Sequence, residues 1–179
     1  DTVKVKEPLP LVMSYEWKDA CFDVDNGEIS LEVSGGTEPY TYTWSNGSEL
    51  PQLTGLPSGE YSVLISDSHS CPQLNENIVI SELPELECEL NGSDLLCHQD
   101  GSGLIELLNL TGGTGNYASF EWLKNGQFYS DSVYAGNLQA CNYSLTIIDD
   151  YGCLAKDSIV IGEPDPIILE VVGTNGTTN

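Results

Sequence analysis

The sequence predicts an all-β fold made of two consecutive sandwich repeats, on three observations. A composite stretch of turn, strand and turn occurs twice, alternation of apolar and polar residues recurs in short runs, and helical spacing is nearly absent. The duplicated stretch runs from Gly35 to Gly47, GGTEPYTYTWSNG, and again from Gly112 to Gly126, GGTGNYASFEWLKNG. Double glycine, aromatic pair and closing Asn-Gly keep their order in both copies. Paired glycines permit a backbone reversal that side chains would block. The alternation of Tyr40, Tyr42 and Trp44 then puts three rings on one face of a strand, read as a core strand rather than an exposed aromatic platform.

Taken in order, the first copy predicts strands at residues 11–15, 28–34 and 40–44, a weak pair across 48–53, and strands at 60–66 and 76–81. The second predicts 86–90, 104–110, 118–123, 127–133, 143–148 and 157–161. The clearest is GEYSVLISD, where Tyr61, Val63 and Ile65 alternate, with its copy CNYSLTIIDD carrying Tyr143, Leu145 and Ile147. Packing two such faces against each other is the tandem immunoglobulin-like β-sandwich solution. Pro84 and Pro164 stand at Glu-Pro-type corners, where a missing N–H ends the last strand of each unit. The expected organisation is residues 9–84 for the first repeat and 85–164 for the second. DTVKVKEP at the start matches NIVISELP and DSIVIGEP at the ends of the two copies, so 1–8 reads as the last strand of a preceding repeat. Residues 165–179 read as the first strand of a following one.

Composition narrows the function classes. The 179 residues carry 28 Asp and Glu against 5 Lys and Arg, a net charge of -23, which opposes binding to nucleic acid or to an anionic membrane. No apolar run approaches the roughly 20 residues that span a bilayer, so no membrane insertion is expected. A unit of under ninety residues buries only about 60–65% of its unfolded surface and is expected to recruit covalent or neighbour support. Six cysteines, Cys21, Cys71, Cys88, Cys97, Cys141 and Cys153, are available for it.

The ordered landmarks of the first copy are Cys21, Asn26-Gly27, Gly35-Gly36-Thr37, Pro39-Tyr40, Trp44, Asn46-Gly47, Leu56-Pro57, Gly59, Tyr61, Asp67 and Cys71. This set resembles the SprB repeat of very large cell-surface proteins in gliding and other Bacteroidota. The second copy keeps Cys97, Trp122, Tyr143, Asp149 and Cys153, but has Asn116 where Pro39 stands, and Gln139 and Cys141 in place of Pro57 and Gly59. The resemblance implies export by the type IX system, display on the outer membrane, and service as a gliding-motility adhesin that grips surfaces or polysaccharide. Its implied partners are neighbouring repeats, extracellular surfaces, and gliding or secretion machinery reached through other parts of the chain. It also implies O-glycan acceptors at Thr2, Ser132 and Ser158, each in an Asp-Ser/Thr context. The leading expectation is therefore a structural and adhesive filament segment, with direct polysaccharide binding through Trp17, Tyr129 or Tyr134 as the alternative.

Catalytic chemistry finds no foothold. His69 and His98 sit beside Cys71 and Cys97 without a Ser-His-Asp order or a Gly-x-Ser-x-Gly elbow, and no enzyme or cofactor is expected. Zinc on those four residues lacks any C-x₂₋₄-C knuckle, and an oxidising compartment favours disulfides instead. Asp23 and Asp25, in D-x-D-N-G, are weak calcium candidates without the bidentate Glu that would complete such a loop.

Two disulfide schemes remain open. Counting pairs Cys21 with Cys71 and Cys97 with Cys153 inside the repeats. Topology argues for another scheme. With an odd number of strands the chain enters and leaves a unit at opposite ends, which separates Cys21 from Cys71 by about 15–20 Å when a disulfide needs Cα atoms within about 7 Å. The expectation is a staggered Cys21–Cys153 staple, with Cys71 and Cys97 directed to neighbouring repeats and Cys88–Cys141 closing the second unit.

Overall fold

Tyr61, Val63 and Ile65 alternate with solvent-facing neighbours, and they form the centre of a sheet in the computed structural model, which describes residues 8–69 and 73–171. The first copy folds as six strands: β1 Val12–Lys18, β2 Gly27–Ser34, β3 Thr41–Trp44, β4 Gln52–Leu56, β5 Gly59–Ser66 and β6 Leu74–Ile80. They make two three-stranded sheets, ordered β1-β2-β4 and β3-β5-β6. Pairing is antiparallel, with Tyr15 opposite Leu31 and Trp44 opposite Val63. The inner faces bury Ile29, Leu31, Trp44, Leu53, Leu56, Tyr61, Val63, Ile65, Ile78 and Ile80 in one cluster, with Tyr42 partly buried against it. Trp44 is buried and its indole N–H donates to the Leu50 carbonyl at 2.9 Å, so the ring belongs to the core.

The second copy folds as seven strands: β7 Glu87–Ser93, β8 Gly103–Thr111, β9 Tyr117–Lys124, β10 Gln127–Ser130, β11 Ala135–Leu138, β12 Cys141–Asp149 and β13 Leu154–Ile161. Their sheets are ordered β11-β8-β7 and β10-β9-β12-β13. Trp122, Tyr143, Leu145, Ile147 and Leu138 are almost completely buried. Trp122 repeats the bond of Trp44, donating to the Ser132 carbonyl at 2.9 Å. Tyr61 and Tyr143 likewise donate their hydroxyls to the carbonyls of Pro57 and Gln139. The chain is all-β, with two sheets to each sandwich, the arrangement of immunoglobulin-like domains.

The structure corrects the strand count in both copies. Residues 48–53 do not make a strand pair; residues 45–51 instead carry the chain from one sheet to the other, and only β4 follows. Residues 127–133 do not form one strand either. The turn at Ser132 ends β10, and β11 joins the opposite sheet beside β8. The periodic signal was weak at these places because short edge strands carry few alternating positions.

The six-strand count leaves the topology intact. Ala20 and Glu82 form a parallel bridge just beyond β1 and β6, so these strands run the same way and the chain still enters and leaves at opposite ends. The crossing of residues 45–51 does the work of the missing strand, since β3 and β4 each run parallel to β1 through their antiparallel partners.

By contacts the chain divides differently from its sequence period. One compact unit comprises the described residues of Asp1–Glu87 together with Thr111–Ala118 and Ile148–Ala155; the other comprises those of Cys88–Leu110, Ser119–Ile147 and Lys156–Asn179.

Replacing Trp44 by Ala should destabilise the first unit by about 3–5 kcal/mol, because it empties a buried indole volume and strands the Leu50 carbonyl. Denaturant unfolding followed by the fluorescence of the remaining tryptophans checks this, and a loss below about 1 kcal/mol would mean that the site is not core.

Candidate functional site

In the first compact unit Asn26 and Asp149 gather around the bond between Cys21 and Cys153. Their sulfurs are 2.07 Å apart and their Cα atoms 5.3 Å apart, across 132 residues of sequence. Both are buried, at 4% exposure. Cys21 lies in the first sequence repeat and Cys153 in the second, which is the staggered pairing, not the pairing within repeats.

Local chemistry positions each sulfur. After β1 the chain bridges Glu82 through Ala20, and Asn26 then closes a short loop. The Asn26 side-chain oxygen accepts the Cys21 N–H at 2.8 Å, while its amide nitrogen lies 3.1 Å from Cys21 Sγ and donates to the Tyr151 carbonyl at 3.3 Å. Asp23 adopts φ 52°, a left-handed conformation that Asp tolerates in turns, and its N–H donates to Glu82 Oε1 at 2.9 Å. Asn26-Gly27 thus supplies more than a turn.

Cys153 is held by Asp149, whose carboxylate is 2% exposed. Asp149 Oδ1 accepts the N–H groups of Tyr151 and Cys153 at 2.9 and 2.8 Å, and Oδ2 accepts that of Thr114 at 2.9 Å. Three backbone donors satisfy a charge that burial would otherwise oppose. Gly152, at φ 84°, makes the tight return that brings Cys153 back to Asp149.

The double glycine is explained at the same place. A Cβ on Gly112 would stand 1.7 Å from the Glu85 carbonyl oxygen, and one on Gly113 would stand 2.5 Å from Asp149 Oδ2. In the first copy, a Cβ on Gly35 would meet the Pro10 carbonyl at 1.9 Å and one on Gly36 would meet Asp67 Oδ2 at 3.0 Å. The glycines admit a close approach by the strand that opens each repeat. They also leave room for the buried aspartate.

The other cysteines are arranged otherwise. Cys88, Cys97 and Cys141 are free thiols, and Cys71 lies outside the described residues. The expected Cys88–Cys141 bridge is therefore not made. Leu86, two residues before Cys88, belongs at the Asp149 end of the sandwich, since both side chains flank the Cβ position of Gly113. Cys141 opens the nine-residue β12 and Asp149 ends it. At about 3.3 Å per residue that strand is far longer than the roughly 7 Å a disulfide spans. Cys88 is half-buried, and burial, with Asp157 adding to it, pushes its thiol pKa up, which keeps it protonated and slow to react.

Asp23 and Asp25, the calcium candidates, stand in an exposed turn with Asp23 engaged by Glu82 only through its backbone. Among the described residues no group of three or more His, Cys, Asp or Glu is placed to hold a metal ion. His69 bonds Ser68, and His98 lies 3.3 Å from Glu163 Oε2. Ser132 and Ser158 are exposed, whereas Thr2 lies outside the described residues. Of the aromatic candidates, Trp17 is 52% and Tyr134 83% exposed, and Tyr129 is 39% exposed with its ring packed edge-on against Tyr143.

Sequence reasoning missed Asn26 as a clamp and Asp149 as the anchor of the cysteine turn. The signal for Asp149 was present in the recurrence of Asp four residues before Cys in both copies.

Comparison with known proteins gives a family match and a set of structural likenesses. The model of the SprB repeat matches residues 14–49. No curated protein sequence matches the chain. Among solved structures, three N-terminal domains of the Highly Immunogenic Outer Capsid protein (Hoc) of bacteriophage RB49 share 16% identity at a TM-score of 0.48, over 86% of this chain and 59% of theirs. A Dscam structure shares 12% identity at 0.36, over 88% and 46%, and the ectodomain of mouse nectin-like molecule 4 shares 12% at 0.35, over 90% and 67%. The chain thus spans about three fifths of the Hoc structure and under half of the Dscam one.

Substituting Asp149 by Ala would leave three backbone N–H groups without their acceptor and should cost about 1–3 kcal/mol. Denaturant unfolding of oxidised protein measures it, and wild-type stability would refute the anchoring role. Replacing Cys21 and Cys153 together by Ser should lower stability further, by up to about 5 kcal/mol on a chain-entropy estimate for a loop of this length. The stretch that matches the SprB repeat model, residues 14–49, includes both Cys21 and its clamp Asn26.

Proposed function

We propose that the chain is a non-catalytic, load-bearing segment of a cell-surface, adhesin-type repeat filament whose successive repeats are tied by disulfides. The observation that carries this reading is the Cys21–Cys153 bond, which links cysteines of two successive sequence repeats. Tension applied at the two chain ends meets the covalent bond first, and the residues between the cysteines are sheltered from it. The SprB repeat supports the surface setting, and with it the finer readings: a gliding adhesin of Bacteroidota, export through the type IX system, and outer-membrane attachment. The net charge of -23 suits an exposed flank that stays solvated and resists self-association. O-glycans on Thr2, Ser132 or Ser158 would extend that flank.

A second reading, polysaccharide binding by the segment itself, has one observation in its favour. In the first unit Tyr15 and Trp17 lie 5.8 Å apart, ring centre to ring centre, beside an open groove of about 400 Å³ that Leu74, Asn75 and Glu76 also line. Polysaccharide pull-down separates the two readings. No retention of the chain on bacterial or algal polysaccharides is expected, whereas retention that Trp17→Ala abolishes would favour the second.

Single-molecule stretching tests the leading reading. The oxidised chain should extend only through residues outside the 132-residue loop, and reduction should add on the order of 450 Å of contour. Equal contour lengths with and without reductant would overturn it.

A further inference from the structure

We propose that Cys97 is the near half of a second staple, whose partner is the cysteine of an Asp-x-x-x-Cys turn on another repeat of this kind. The inference rests on the reading of the chain as a disulfide-tied repeat segment and names the partner that this reading requires at its other end.

Cys97 occupies in the second repeat the loop that Cys21 occupies in the first, and the two loops are built alike. The Cys97 N–H donates to Asp100 Oδ2 at 2.9 Å, as that of Cys21 does to Asn26 Oδ1 at 2.8 Å. The Gln99 N–H, at φ 58°, donates to Glu163 Oε2 at 2.9 Å, as that of Asp23, at φ 52°, does to Glu82 Oε1. Asp94 Oδ1 accepts the Gly162 N–H at 2.7 Å, as Asp19 Oδ1 accepts that of Ser81 at 2.8 Å. One of these two loops has its sulfur bonded to the second repeat's Asp149-to-Cys153 turn. The other has its sulfur exposed.

A second, independent observation points to the same partner. Leu86 and Leu90 stand four and eight residues beyond Glu82, and they are only 6% and 8% exposed because a repeat body covers them. Ile167 and Val171 stand four and eight residues beyond Glu163, the equivalent of Glu82, and are 100% and 83% exposed. Apolar side chains at the covered positions of the pattern, immediately past the residue that braces the Cys97 loop, fit the body of another repeat. The Cys97 thiol and the partner thiol would form one S–S bond. Their two protons and two electrons pass to a disulfide donor, such as glutathione disulfide, which leaves as two thiols.

A chain carrying one more copy of residues 85–164 after residue 164, the added copy bearing Cys97→Ser and the exposed Leu154→Val so that its peptides are told apart from the original ones, oxidised with glutathione disulfide and digested without reduction, tests the proposal. The expected product is a peptide linking Cys97 to the added copy of Cys153, absent from the Cys97→Ser variant, beside an undiminished Cys21–Cys153 peptide. Recovery of Cys97 as a free thiol, as its glutathione adduct or joined to Cys88 or Cys141, with Cys21–Cys153 intact, would overturn this proposal alone. Loss of the Cys21–Cys153 peptide as well would overturn the reading on which it rests. Cystine mapping of the natively produced protein after thiol blocking is the second measurement, and a blocked Cys97 there would equally overturn the proposal.

Discussion

The Asp149 carboxylate is buried to 2% exposure and kept there by three backbone N–H groups, and the surrounding geometry follows from housing that charge. A side chain at residue 113 would strike its Oδ2, so the loop must be glycine there. The turn from Asp149 must curl back to deliver the N–H of Cys153, so Gly152 takes a left-handed conformation and the sulfur ends up directed at Cys21. Satisfying one buried charge thus determines a loop, a turn and a covalent bond.

The facing loop answers a different constraint. Cys21 follows a strand that has ended and must be held without sheet hydrogen bonds, and Asn26 supplies the replacement by accepting from Cys21 and donating to Tyr151. Glu82, from the segment that follows β6, braces the same loop through Asp23. The connector after each repeat's last strand is therefore part of the cysteine loop's support. This gives Glu82 and Glu163, which stand just ahead of Pro84 and Pro164, a physical role beyond punctuation.

The sandwich cores have a simpler logic and tolerate more variation. Trp44 and Trp122 each fill a core and each cap a backbone carbonyl, although the crossing segment between sheets is longer in the second copy and includes β10. The additional residues fall where the chain passes between sheets, over the surface, so the inward-facing alternation on β5 and β12 is undisturbed. Pro57 and Gln139 are chemically unlike, yet each offers the same carbonyl to a tyrosine hydroxyl, because the contact uses backbone only.

The all-β class, the duplication, the core rings and the turn glycines were legible in the residues, because alternation and glycine act locally and a repeated pattern exposes itself twice. The staggered direction of the Cys21–Cys153 pairing followed from strand parity, even though the first copy reaches the same parity with six strands and a crossing segment. Local signals did not extend to β11, whose four residues join a sheet by distant pairing, nor to the separation of Cys88 from Cys141 by the length of β12. Asn26 and Asp149 likewise looked like turn residues, since what makes them clamps is the chain brought to them from 125 and 35 residues away. Sequence by itself determined the elements and their periodicity, which depend on neighbours along the chain. Which polar groups became buried, and which thiols met, was decided by tertiary packing, because hydrogen-bond satisfaction and disulfide reach are properties of distances in space.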